Sequence, residues 1–139
     1  VKKINDLIKK IVFVSKLPTL VKKIKDSFIL NQFKNKENPK IHFLTTAKEI
    51  WEDSNGKIDY FISGVGTGGT ISGVGNFLKK KNKKIQIIAV EPEDSAVISG
   101  GDVGSHIIQG IGAGFIPDIL DLKIIDKTLS ISNSSALKF

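Results

Sequence analysis

The 139-residue chain contains no cysteine. Disulfides, zinc–thiolate centres and cysteine nucleophiles are therefore excluded. It also contains no arginine: all 21 basic residues are lysine, and the formal net charge is +7. The forked guanidinium contacts that best grip bases and phosphates are thus unavailable. The positive balance reads as general charge bias rather than a nucleic-acid surface. No apolar run approaches the ~20 residues of a membrane span, and no secretory leader pattern is visible. A soluble, cytoplasmic chain is expected, with neither nucleic acid nor membrane as partner. The two histidines, His42 and His106, have no carboxylate or second histidine at ligand spacing. A surface or loop role is expected for both, and no metal site.

The length suits one domain. The chain opens on Val1 and closes on Phe139, shortly after a strand-like run. Both ends read as cuts through something larger. Val1, Ile4, Leu7, Ile8 and Ile11 recur at helical spacing with lysines between them, which predicts an amphipathic helix. A second short helix is expected at 20–25, beyond Pro18. Residues 27–33, SFILNQF, read as a buried strand, and 34–40, KNKENPK, as a polar loop. Thr46 and Glu49 stand at capping-box spacing, starting a helix over 47–54 with Ile50 and Trp51 inward and Gly56 as its left-handed stop. A strand at 58–63, a helix at 69–81 and a near-continuously apolar strand at 83–92 follow. Residues 99–106 are loop, and 122–132 supply one or two short strands. Asp94 and Ser95 are read as local caps, and Asp118 and Asp121 as solvated. The alternation predicts an α/β fold with a mainly parallel sheet and helices on both faces.

Between the strand at 58–63 and the helix at 69–81 lies GVGTGGTISGVG, residues 64–75, with six glycines and two threonines. A strand–glycine–helix joint aims free backbone N–H groups and a positive helix end at one point. That is the design of an anion site. A Walker loop is excluded because Gly69 is followed by Thr70 and Ile71 instead of Lys-Ser/Thr. Gly64, Gly66 and Gly69 satisfy G-x-G-x-x-G, and Glu91 ends the next strand where a ribose-binding acid would stand. On spacing, a dinucleotide-binding α/β domain is a real alternative. A monophosphate cofactor, which needs only one cradle and no ribose acid, is the other.

ISGVGTGGTISGVGNFLK (62–79) resembles the phosphate loop of cysteine synthase, or O-acetylserine sulfhydrylase. That family belongs to the fold type II pyridoxal-phosphate enzymes. The stretches NQFKNKENPKIHFLTTAKEIWED, VEPEDSAVISGG and HIIQGIGAGFIPDILDLKIID are similar to that family in the same order, over roughly residues 27–133. The resemblance implies that Gly66, Thr67, Gly68, Gly69 and Thr70 hold the phosphate of pyridoxal 5'-phosphate. It implies that Gln32 and Phe33, with Gly112 and Ala113, line the substrate pocket, and that Glu91 is a structural residue at a strand end. The implied reaction is β-replacement, in which O-acetylserine and sulfide give cysteine. Implied partners are a second copy of the chain, as a homodimer, and the C-terminal tail of serine acetyltransferase. The family's Schiff-base lysine lies in a segment resembling SVKDR, and no lysine here stands in such a context. No catalytic residue is therefore assigned. The expectation is a central fragment: 1–33 the remnant of a small N-terminal domain, with 1–26 poorly matched, and 34–139 an incomplete large cofactor-binding domain. Such a chain would be inactive alone, one piece of a split enzyme, or a non-catalytic binding module.

Overall fold

The computed structural model describes Thr19 and residues 21–138. The chain divides into two compact units, Val1–Asn31 and Gln32–Phe139. In the first, the helix expected near the N-terminus lies outside the described residues, as does the start of the one expected at 20–25. Residues 22–26 form turns, and the run from Ser27 to Asn31 is irregular. The strand expected at 27–33 is not formed. Its apolar residues have the composition of a strand, but among the described residues they join no ladder.

In the second unit the order is α1 (Glu37–Leu44), α2 (Thr46–Asp53), β1 (Tyr60–Gly64), α3 (Gly69–Lys81), β2 (Gln86–Pro92), β3 (Lys127–Ile131) and the short α4 (Asn133–Ala136). Two 3-10 turns, Glu93–Ser95 and Leu122–Ile124, interrupt the long connection from β2 to β3. The polar loop expected at 34–40 is in fact the entry to α1. Pro39 stands in the first turn, where a missing N–H costs no helix bond. Just upstream, the Asn35 side chain accepts a bond from the Glu37 N–H at 3.0 Å. The capping box at Thr46 is also not formed. Thr45 is the residue before α2, and neither it nor Glu49 caps through its side chain. Asn55 and Gly56 both take positive φ, which ends the helix as expected.

The strands are parallel in the order β1-β2-β3, so the chain is an α/β protein built on a parallel sheet. Tyr60 pairs with Gln86 and Gly64 with Val90, while Ile88 pairs with Lys127 and Pro92 with Ile131. Ile71, Val74 and Leu78 recur at helical spacing on α3 and are buried with Ile87 and Ala89 of β2 and Ala47 of α2. Each such aliphatic side chain stabilises the fold by about 1.5–3 kcal/mol relative to exposure. Helix α1 reaches α3 at Gly73, where a Cβ would lie 2.7 Å from the His42 Cβ. Phe43 and Phe77 then meet edge to face at 5.5 Å. Among the described residues, α1–α3 pack together against the sheet face carrying Ile87 and Ala89. On the opposite face, Tyr60 and Ile62 are 65% and 58% exposed.

The start of the sheet is fixed by Asp126. Its carboxylate accepts from the Ile87 N–H at 2.7 Å and from the Lys79 ammonium at 2.7–2.9 Å. Those bonds, the Ile87 amide first and Lys79 second, hold the carboxyl below the ordinary aspartate range. Asp121, expected to be solvated, is instead partly buried. It accepts from Asn76 of α3 at 2.9 Å, and its own N–H donates to the Ser72 hydroxyl at 2.9 Å. This ties the β2–β3 connection to α3, and thereby fixes the helix that begins at the glycine loop.

Candidate functional site

Strand β1 continues one residue past its end through the Val65 N–H, which bonds the Val90 carbonyl at 3.0 Å. The chain then turns through Gly66, Thr67 and Gly68 into α3. Gly68 has φ +83° at the cap position, a conformation that favours glycine. Gly66 has no room for a side chain because a Cβ would strike the Gly110 carbonyl oxygen. Ser72 is the first residue whose N–H bonds back along the helix, to Gly68 O at 3.0 Å. The N–H groups of Gly69, Thr70 and Ile71 therefore have no carbonyl one turn back. That of Gly69 donates to the Thr67 hydroxyl oxygen at 3.3 Å. Thr70 and Ile71 line a cavity of about 220 Å³ together with Gly66, Thr67, Gly68 and Gly110.

The threonine hydroxyls are held from behind. Thr67 Oγ1 accepts from Asn38 Nδ2 at 3.1 Å as well as from the Gly69 N–H. A hydroxyl has one donor and two acceptor positions, so two incoming bonds leave its proton to point outward. Asn38 Nδ2 also donates to the Gln32 carbonyl at 2.9 Å, which anchors the approach to α1 beside the loop. Thr70 Oγ1 lies 3.3 Å from His42 Nε2, and His42 Nδ1 lies 3.0 Å from Thr46 Oγ1. His42 is thus not a loop residue, and it is half-buried. It sits in α1 between two threonine hydroxyls, one of them at the loop.

A second cavity of about 350 Å³ shares Gly66, Thr67 and Gly110 with the first and is completed by Gln32, Phe33, Ile111 and Ala113. The structure thereby brings together residues more than seventy positions apart. Phe33 packs edge to face on Phe115 at 5.1 Å. Two residues expected at the sites line neither cavity. Gly69 is buried at the helix start. Gly112 lies behind the wall: its N–H bonds the Val65 carbonyl and its carbonyl meets His106 Nε2, both at 3.0 Å. Among the described residues, no lysine lines either cavity. The larger grooves beside α3, about 470 and 590 Å³, share no residue with either cavity and are edged by Lys36, Lys40, Lys79 and Lys80.

Sequence reasoning missed Asn38, His42, Gly110, Ile111 and Phe115. Asn38 was hidden by reading 34–40 as loop, and His42 by reading it as a surface or loop histidine, since only a helix brings them to the threonines. Glu91 is 1% exposed. One carboxylate oxygen accepts from the Ile98 N–H at 2.8 Å, and the other from the Ser99 N–H at 3.1 Å and from the Ser99 hydroxyl. Both oxygens are engaged by the chain itself, so the acid that a dinucleotide reading requires is not presented to a ribose.

A parallel α/β unit with a glycine-rich anion cradle and an adjoining cavity defines the class, and the family comparison agrees. The chain belongs to the pyridoxal-phosphate dependent enzymes, whose family model matches residues 10–138. Cysteine synthase A of Salmonella typhi is 54% identical over 117 residues, 78% of this chain and 36% of that protein. Cysteine synthase B of Campylobacter jejuni is 49% identical over 112 residues, 81% of this chain and 38% of that one. Among solved structures, the cysteine synthase of Entamoeba histolytica has a TM-score of 0.86 at 47% identity, covering 90% of this chain and 37% of that one. A hydrogen sulfide-producing enzyme of Fusobacterium nucleatum has a TM-score of 0.85 at 43% identity, covering 90% and 42%. The chain thus spans 36–38% of the length of these two curated relatives.

Proposed function

We propose that this chain is the phosphate-holding core of a cysteine synthase, in which the acetate of O-acetylserine is replaced by sulfide. The observation that carries this reading is the cradle, where outward-pointing donors gather at the start of α3. The N–H groups of Thr70 and Ile71, the Thr67 hydroxyl and the positive helix end suit a phosphate dianion. The donor set therefore fits pyridoxal 5'-phosphate, with Gly66, Thr67, Gly68 and Thr70 on its phosphate and Gly69 supporting the Thr67 hydroxyl from behind. Bound there, the cofactor supplies the electron-withdrawing ring through which an amino acid loses and regains a β-substituent. Phe33 gives the neighbouring cavity an apolar wall, backed by its contact with Phe115. Gln32 offers its amide to the amino-acid carboxylate, and Ala113 leaves room for the side chain being exchanged. Gly112 supports that wall through the Val65 bond.

The lysine that anchors the cofactor and moves the α-proton is assigned to no residue here. In this reading the chain works as part of a larger assembly, with 1–33 belonging to a small domain and 34–139 to the cofactor-binding domain. The family resemblance supports a homodimer, a cytoplasmic setting, and capture of the carboxylate tail of serine acetyltransferase at the cavity of Gln32 and Ala113. Titration calorimetry tests the core of this reading. Pyridoxal phosphate should bind saturably and inorganic phosphate should compete, while NAD should not bind. NAD binding that displaces pyridoxal phosphate would reverse the choice of ligand.

A further inference from the structure

His42 is used by nothing proposed so far, yet its ring spans two hydroxyls, with Nε2 at 3.3 Å from Thr70 Oγ1 and Nδ1 at 3.0 Å from Thr46 Oγ1. The ring's origin is fixed, because α1 lies so close to Gly73 of α3 that a Cβ there would touch the His42 Cβ. Thr46 is likewise fixed as the first residue of α2. A neutral imidazole carries one N–H and one bare nitrogen, so this three-residue chain has two polarities. With the proton on Nδ1, His42 donates to Thr46 and takes the Thr70 proton on Nε2. The Thr70 oxygen then presents only lone pairs to the cavity, which repel an anion. With the proton on Nε2, Thr46 donates to Nδ1, His42 donates to Thr70, and the Thr70 proton is released toward the cavity.

We propose that His42 is a positioning residue for the anion cradle: its Nε2–H tautomer, held by Thr46, turns the Thr70 hydroxyl proton onto the phosphate. The inference rests on the cradle reading above. It gives Thr70 from α1 what Thr67 obtains from Asn38 and the Gly69 amide, an oxygen whose acceptor side is occupied from behind. The two threonines then differ in one respect. The donors behind Thr67 are permanent N–H groups, whereas the donor behind Thr70 depends on where one imidazole proton resides. Bound phosphate and the Nε2–H tautomer favour each other by the same factor, as linkage requires.

The test uses the full chain labelled with 15N at histidine, in mildly alkaline buffer where imidazole is ordinarily neutral. The signals of the two histidines are told apart with His106→Gln. Adding inorganic phosphate, then pyridoxal phosphate, should move His42 toward the Nε2–H pattern in step with saturation. In parallel, His42→Ala should weaken pyridoxal phosphate binding about tenfold while leaving the affinity for phosphate-free pyridoxal unchanged. His42→Gln, whose amide can donate to Thr70, should recover most of the loss. Saturable anion binding with no tautomer change would overturn the proposal and leave the cradle standing. So would an equal loss for pyridoxal and pyridoxal phosphate in His42→Ala. If the wild-type chain binds neither phosphate nor pyridoxal phosphate, the cradle reading itself fails, and this inference with it.

Discussion

Thr67 and Thr70 were visible in the sequence as hydroxyls among glycines, and the strand before them and helix after them made the anion site legible. The residues that aim those hydroxyls were not. Asn38 and His42 act across 29 and 28 positions, and nothing in local spacing announces such pairs. Thr67→Val removes one outward donor and should weaken pyridoxal phosphate binding about ten- to hundredfold, the worth of a hydrogen bond to a charged group. Calorimetry at constant ionic strength would measure it. Glu91 shows the reverse case. Its spacing fitted a ribose acid, but burial with two backbone amides makes it a structural anchor. Glu91→Ala orphans those amides and should lower unfolding stability by about 1–3 kcal/mol, read as a drop in the urea midpoint at unchanged slope. An unchanged midpoint would contradict the anchoring role.

At the scale of elements, α3 was legible from end to end because apolar period, glycine entry and a lysine-rich last turn agree. Strand β2 was legible from its continuous apolar run. Helix α1 was missed because proline and asparagine usually mark turns. Here Pro39 occupies one of the few helix positions that tolerate it, and the helix is stabilised by packing on α3 more than by its own weak apolar pattern. Gly73 is the point of that packing. Gly73→Ala would gain about 1 kcal/mol of helix propensity but force α1 outward, for which overpacking costs of about 1–3 kcal/mol are usual. A net loss of stability is expected, together with weaker pyridoxal phosphate binding as His42 and Asn38 shift. Strand β3 is secured at its start by Asp126. A carboxyl whose pKa is depressed in the folded state contributes stability that is complete above its unfolded value and lost as pH falls through the folded one. The urea midpoint should therefore decline below about pH 4. Asp126→Asn should be less stable at neutral pH and show a shallower acid decline.

For the molecule as a whole, the α/β class and parallel sheet followed from the alternation of patterns, whereas strand order did not, and the meeting of Gln32 and Phe33 with Ala113 followed only from the family resemblance. Those depend on long-range packing that no window of sequence contains. The sheet face bearing Tyr60 and Ile62 exposes apolar side chains on β1, which stands at one edge of the three strands. Such surfaces promote association. Ile62→Lys should reduce concentration-dependent self-association in sedimentation velocity without shifting the affinity for pyridoxal phosphate. The account as a whole depends on where the cofactor's phosphate settles. The most direct measurement is an amide 1H–15N map of the chain titrated with pyridoxal phosphate. The account predicts saturable shifts centred on Gly66, Gly68, Thr70 and Ile71, reproduced in part by inorganic phosphate. Shifts centred on the lysine-edged grooves at Lys36, Lys40, Lys79 and Lys80, with the glycine loop unmoved, would contradict it.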